Sequence, residues 1–242
     1  MPAQESIPTK IISPFTRTYR YARAQFTLGD LKKRTAEMVS QPQQLVSETF
    51  AFCEGFLSPV QMEEEIERLA MDVRELRPRR VLEIGTAKGG TLYLWTCLAT
   101  PDATIVSVDL PAGKYGGGYS PQRAAIYKRF ALPQQKVHLL RADSHAPETR
   151  DRVVELFAGE SVDFLFLDGD HSYEGVKQDW QYFAPLVRPG GLIAFHDIAM
   201  NYEETHVKQL WDEIKPLHEH WEYVFHAKSI FGIGVIKKSS CS

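Results

Sequence analysis

The most chemically loaded stretch of this chain is Val162-Asp163-Phe164-Leu165-Phe166-Leu167-Asp168-Gly169-Asp170-His171-Ser172-Tyr173-Glu174-Gly175. An apolar run that ends in Asp-Gly-Asp-His delivers two carboxylates and an imidazole to one strand end. A second apolar run, Gly191-Leu192-Ile193-Ala194-Phe195, ends in His196-Asp197. On adjacent strands the two ends bring up to three carboxylates and two imidazoles together. Clustered acids repel unless a cation or a proton sits among them. A divalent metal is the natural resident, with Asp168 and Asp197 as hard oxygen ligands. Such a metal lowers the pKa of a bound hydroxyl and orients it. His171, with an unperturbed pKa of about 6.5, suits the role of general base. Asp168 and His171 are thus the expected catalytic pair.

A second set lies upstream. Val81-Leu82-Glu83-Ile84-Gly85-Thr86-Ala87-Lys88-Gly89-Gly90 runs from an apolar strand into a glycine turn and a helix. Glycine there permits positive φ and close approach of a ligand. The helix N-terminus beyond offers free N–H groups. A dinucleotide fingerprint wants a third glycine place that Ala87 occupies, which weakens a pyrophosphate reading. Glu83 could accept from a ligand ammonium. Asp109 ends the second strand, 24 residues after Gly85, where an acid can hold both hydroxyls of a ribose. Asp143 and Ser144 follow the third strand, where a carboxylate could meet an adenine amino group. Acids at successive strand ends behind a glycine turn read as a nucleoside-cofactor site made by Glu83, Gly85, Thr86, Gly89, Asp109, Asp143, Ser144 and Asp168.

The elements that must position these groups follow from periodicity. Strands are expected at 80–84, 104–109, 136–141, 162–168, 191–196, 221–226 and 230–237, with helices at about 89–99, 121–131, 147–158, 173–186 and 205–217. This alternation predicts an α/β fold, a doubly wound, mostly parallel sheet. Ala227-Lys228-Ser229 is too short for a crossover helix, so the last two strands form a hairpin and the final strand is reversed. The ligand site of such a sheet lies at the carboxyl ends of its strands. Residues 1–78 look helical. Ser58-Pro59-Val60-Gln61 reads as a capped helix start. Ile66, Leu69, Ala70, Val73 and Leu76 form one apolar face, and Pro78 ends it. Two or three helices are expected over 15–56, broken at Gly29-Asp30 and Gln41-Pro42. Arg17, Tyr19, Arg20, Tyr21 and Arg23 read as a solvated helix face, or else as a subunit contact or pocket wall. Pro111–Ser120, with four glycines and two tyrosines, reads as a mobile lid. Trp180, Tyr182 and Phe183 read as helix packing.

The chain has 242 residues, Lys+Arg 28 against Asp+Glu 31, and 43% hydrophobic residues, an ordinary globular make-up. The near-neutral balance argues against a nucleic-acid partner. Cys53, Cys97 and Cys241 have the wrong number and spacing for a disulfide scaffold or a cysteine zinc site. No apolar run approaches the ~18 residues of a membrane span and no leader-like apolar stretch opens the chain, so a cytoplasmic location is expected.

Residues 79–238 resemble the class I S-adenosylmethionine-dependent methyltransferases, in the order Glu-x-Gly, acidic strand end, Asp-Ser. The Asp168-Gly169-Asp170-His171-Ser172-Tyr173-Glu174-Gly175 segment, followed by Gly190-Gly191 and Asp197, is similar to the cephalosporin hydroxylase-like and sugar O-methyltransferase branch. The resemblance implies a Rossmann-like sheet with a reversed seventh strand. It implies that Gly85 and its loop hold the methionine part, Asp109 the ribose, and Asp143 with Ser144 the adenine of S-adenosyl-L-methionine. It further implies that Asp168 and Asp197 bind Mg²⁺ and that His171 is the base. His196 departs from the branch, whose Mg²⁺ enzymes carry an acid there. Imidazole suits Mn²⁺, Fe²⁺ or Zn²⁺ better, so either the metal differs and His196 is a ligand candidate, or His196 is a second base, or no metal binds. The expected activity is O-methylation of a small hydroxylated molecule, a glycoside or secondary metabolite. A metal-dependent oxygenase using His171, His196 and an Asp, and a non-catalytic cofactor-binding module, are the alternatives. The expected organisation is a helical cover over 1–78, which is also a candidate homo-oligomer contact, and a cofactor domain over 79–242.

Overall fold

A computed structural model describes residues 14–111, 118–199, 201–225 and 231–239, with side chains from residue 18. Its centre is a seven-stranded sheet of order β3-β2-β1-β4-β5-β7-β6. The strands are β1 (Arg80–Ile84), β2 (Thr104–Val108), β3 (Lys136–Leu140), β4 (Val162–Leu167), β5 (Val187–His196), β6 (Glu219–Tyr223) and β7 (Ile233–Lys237). Pairs β1–β2, β1–β4, β2–β3 and β4–β5 are parallel. β7 is antiparallel to both β5 and β6, so it alone is reversed, as the hairpin argument requires. The connecting residues 227–229 lie outside the described residues. β5 begins four residues earlier than expected, because Val187 pairs with Val162 before a register shift. β6 ends earlier, at Tyr223.

Alternation along each strand sorts side chains onto two faces. Leu82, Ile84, Val106, Val108, Leu165 and Leu167 enter one buried cluster with residues of α6 (Pro147–Leu156), α7 (Tyr173–Phe183) and α8 (Val207–Ile214). Val81, Ile105, Phe164 and Phe166 enter the other, shared with α1 (Pro14–Met38), α2 (Pro42–Ala51), α3 (Glu63–Leu76), α4 (Gly90–Leu98) and α5 (Pro121–Tyr127). The N-terminal helices therefore share a core with the sheet. Phe183 is fully buried, and the Trp180 ring lies 5.6 Å from that of Phe195, so both pack as expected.

Two helix expectations are corrected. α1 runs unbroken through Gly29-Asp30. A solvent-side glycine costs a helix about 1 kcal/mol, which the buried stripe Ala24, Leu28, Leu31 and Thr35 offsets. α3 begins at Glu63, not after Ser58. The Ser58 hydroxyl donates to the Pro59 carbonyl and caps nothing, while Glu63, Glu64 and Glu65 occupy the first turn, where the helix dipole favours acids. Residues 57–61 form an irregular strap instead. The break before Pro42 is present, and α3 ends at Leu76 with Arg77 in left-handed geometry (φ 48°). In the basic-aromatic segment, Arg20 and Arg23 pair with Glu54 at 3.2 and 3.1 Å and Tyr19 is exposed, a solvated face, whereas Tyr21 packs inward with its ring 5.7 Å from that of Phe56. The side chain of Arg17 lies outside the described residues. Among these residues no helix is long and apolar enough to cross a membrane.

Gly85 sits at the sheet's switch point, between β1 and β4. Its φ is +90°, and a Cβ there would lie 1.9 Å from the Asp168 carbonyl oxygen. Gly85→Ala meets both a left-handed backbone and a main-chain clash. We expect it to lower unfolding free energy by about 3 kcal/mol or more in urea titration. A loss below about 1 kcal/mol would show that the two strand ends separate freely.

Candidate functional site

At the carboxyl ends of β1, β2, β3, β4 and β5 lies a cavity of about 700 Å³. Gly85, Asp109, Asp143, Ser144, Asp168, His171, His196 and Asp197 all line it. Sequence-expected Glu83, Thr86 and Gly89 do not. Glu83 is fully buried beneath the glycine turn, where its Oε2 accepts from Ser107 Oγ at 2.8 Å. The Thr86 hydroxyl bonds the same serine. Gly89 caps α4 in left-handed geometry.

The cofactor-end acids are held in different ways. Asp109 is 5% exposed. Its Oδ2 accepts from the N–H groups of Thr86 (3.3 Å) and Ala87 (3.0 Å), and its Oδ1 from that of Gly118 (2.9 Å). Burial raises its pKa, and the three N–H groups oppose that without cancelling it. Glu83 has no such set. Burial, against hydrogen bonds from Thr91 and Ser107 and with repulsion from Asp168 and Asp109, pushes its pKa up to about 8. The Glu83 Oε1 is buried with no hydrogen-bond partner.

Beyond β4 and β5 the carboxylates are clamped by imidazoles. Asp168 Oδ1 lies 2.9 Å from His196 Nδ1 and 3.7 Å from His171 Nε2. Asp197, at positive φ (63°), places Oδ2 2.8 Å from His171 Nδ1 and Oδ1 3.2 Å from His196 Nδ1. Burial disfavours charge on His196, but Asp168 and Asp197 outweigh it and push its pKa up to about 9. The same contest raises His171, through Asp197 and Asp168. Burial raises Asp197, but the two imidazoles hold it below the usual carboxylate range.

The ligand atoms that gather are those of Asp168, His171 and Asp197, all within 4.8 Å of one another. This group shares its two carboxylates with the expected set of Asp168, His196 and Asp197. His196 spends Nδ1 on the two carboxylates, and its ring stacks on Phe231 at 5.5 Å. An oxygenase triad needs two imidazoles and one carboxylate, whereas the gathered set is the reverse. Two carboxylates and one imidazole fit a divalent cation, Mn²⁺ better than Mg²⁺.

Several residues at the site are not singled out by the sequence, among them Gln61, His145, Tyr202, Thr205 and Phe231. Gln61 Nε2 donates to Asp168 Oδ2 at 2.6 Å, and His145 lines the cavity beside Asp143. The Ser58-Pro59-Val60-Gln61 spacing gives Gln61 a capping role, and only the start of α3 at Glu63 frees it. In the glycine-rich segment, Tyr119 is buried against Tyr127 at 5.1 Å and Ser120 caps α5. The lid expectation at 112–117 lies outside the described residues.

Residues 82–198 match the family model described as a methyltransferase domain, just under half of the chain. The uncharacterized protein y4gI of Sinorhizobium fredii (strain NBRC 101917 / NGR234) is 31% identical over 147 residues, 59% of this chain. The chain spans only 16% of that protein's length. Several solved structures share the fold. The O-methyltransferase TomG of Streptomyces achromogenes, involved in tomaymycin synthesis and in complex with S-adenosylmethionine, has a TM-score of 0.57 at 15% identity, covering 83% of this chain and 90% of its own. An O-methyltransferase from Bacillus cereus in complex with S-adenosylhomocysteine has 0.54 at 17%, covering 92% and 100%. The MycE methyltransferase of mycinamycin biosynthesis, with Mg and S-adenosylhomocysteine, has 0.52 at 20%, covering 80% and 54%.

Glu83 gives a pH test. Its folded pKa of about 8 lies above the ordinary 4.5, so between those values the folded chain binds more protons than the unfolded one. Stability contributed by this group is full below pH 4.5 and is lost as pH rises through about 8. Glu83→Gln removes that dependence. We expect the variant to gain roughly 2 kcal/mol or more on the wild type between pH 5 and pH 8 in urea titrations. Parallel stability curves would mean that Glu83 is ionised in the fold.

Proposed function

We propose, from the premise that residues 82–198 form a methyltransferase domain, that this protein is an S-adenosylmethionine-dependent O-methyltransferase of a small hydroxylated molecule, a glycoside or secondary metabolite. The observation that carries the reading is the convergence of Asp109, Asp143 and Asp168 with the His171–Asp197 pair on one cavity. S-adenosylmethionine would supply an electrophilic methyl group on a sulfonium. Asp109 fits a ribose, since its Oδ1 holds a single N–H donor and keeps a free lone pair. Asp143 and Ser144 would hold the adenine, and the Gly85 turn the methionine part. Glu83 acts from beneath that turn, where its proton is released most readily when a cationic group arrives above it.

His171 takes the acceptor's proton. Asp197 holds Nδ1 at 2.8 Å, which leaves Nε2 as the basic nitrogen in an orienting arrangement familiar from acid–base catalysis. Gln61 and His196 hold Asp168 from its two oxygens, so its orientation is fixed before substrate binds. A second reading is favoured by the close grouping of Asp168, His171 and Asp197. There, a divalent cation such as Mn²⁺ or Mg²⁺ would acidify and orient the acceptor hydroxyl, with His171 as a ligand. Residues 1–78 would cover the acceptor side, and the location would be cytoplasmic.

Calorimetry tests the cofactor. S-adenosylhomocysteine should bind the wild type, and Asp109→Ala should weaken it about tenfold or more. A folded wild type that binds neither S-adenosylmethionine nor its product would sink the reading. EDTA decides between the two roles of His171. Loss of turnover that Mn²⁺ restores, with S-adenosylhomocysteine affinity unchanged, assigns the cation. Full turnover in EDTA, kept in Asp168→Asn, assigns the uncoordinated base.

A further inference from the structure

The loop after β3 carries His145 two residues beyond Asp143, and the ring lines the cavity. Its main-chain N–H donates to Asp143 Oδ1 at 2.9 Å. The side chain is anchored from behind by α7. Nε2 lies 3.1 Å from the Gly175 carbonyl oxygen and 3.5 Å from Asp179 Oδ1, and Gln178 Nε2 donates to the His145 carbonyl at 3.0 Å. A carbonyl only accepts, so Nε2 carries hydrogen. That leaves Nδ1, 3.8 Å from Asp143 Oδ1, as the ring nitrogen not tied to α7.

Asp179 has no role in the chemistry described above. It is 1% exposed and does not line the cavity. A carboxylate buried so deeply is costly unless compensated, and its compensation comes from the His145 imidazole at 3.5 Å on the cavity wall and from the Ser144 side chain. We propose that His145, positioned by Asp179, is a further cofactor-recognition residue that reads the purine edge of the bound nucleoside together with Asp143. This rests on the S-adenosylmethionine reading.

The charges that face His145 are Asp179 from α7, Asp143 from its own loop and Asp170 from the turn after β4. The nearby Asp179 carboxylate, 3.5 Å from Nε2, leads, burial opposes it, and attraction to the three carboxylates adds to it, which brings the His145 pKa up to about 9. Near neutral pH the ring is therefore a cation, and Nδ1–H is a donor beside the acceptor Asp143. Adenine presents the complement, an acceptor ring nitrogen beside an amino donor. Hypoxanthine presents the reverse.

The probe is 5′-methylthioadenosine, which lacks the amino-acid part and its own titration near pH 9. Calorimetry on the full chain should give a constant affinity between pH 6 and pH 8 and a loss of about fivefold or more above pH 9. Asp179→Asn should move that loss toward neutral pH. His145→Ala should cost about tenfold at pH 7, flatten the pH profile, and narrow the preference over 5′-methylthioinosine. His145→Gln, which keeps a donor, should recover part of the affinity without the pH dependence. If Asp179→Asn fails to fold, the two His145 variants carry the comparison. A folded His145→Ala with wild-type affinity, profile and preference overturns the inference and leaves the methyltransferase reading standing. A wild type that binds neither 5′-methylthioadenosine nor S-adenosylhomocysteine overturns both.

Discussion

Everything at the open edge of this sheet converges on the carboxylate of Asp168. One oxygen is taken by Gln61 from the N-terminal strap and the other faces the two imidazoles. Its main chain is fixed as firmly, by the bond from its N–H to the Ile84 carbonyl and by the close approach of Gly85 over its own carbonyl. Four separate pieces of chain thus meet at one residue: the strap, the β1 turn, the β4 end and the β5 end. Any arrangement of the remaining acids must respect that junction.

The fold meets the cost of gathering acids by three different means, each local. Glu83 keeps a proton. Asp109 is satisfied by three main-chain N–H groups. Asp168 and Asp197 share two imidazoles. The glycine-turn side of the cavity is therefore neutralised by hydrogen and the far side by imidazoles whose affinity for protons the carboxylates raise. In the proposed reading, a sulfonium-bearing ligand would meet negative charge that is already partly discharged and would gain most where a proton can leave.

The alternation of strands and helices and the order of acids could be read directly from residue spacing, because short runs buried on both faces, at 81–84, 105–108 and 164–167, leave little freedom. The reversed β7 followed from a three-residue connection that admits no helix. Position of the site at the strand ends followed from the same sheet. What spacing could not reveal is long-range. Gln61 reaches Asp168 across 107 positions, and its own neighbourhood imitates a helix start. The gathering of His171 with Asp168 and Asp197 depends on how two separate strand ends meet, which no local pattern encodes. Gly29 misled for a simpler reason: a glycine that faces solvent interrupts propensity but not packing.

The reversed strand has a consequence for how the molecule is made. β7 is the last strand of the sheet to be synthesised, yet it inserts between β5 and β6. The residues that lead into it complete the interior, with Phe231 stacked on His196 and Gly232 N–H donating to Glu65 Oε2 at 3.0 Å. A nascent chain that has reached only Tyr223 carries every acid of the cavity but lacks the ring that closes over His196 and the amide that caps the buried Glu65. Such pairing across a long separation forms late. A chain stopped at Tyr223 would hold the parts of the cavity without that enclosure.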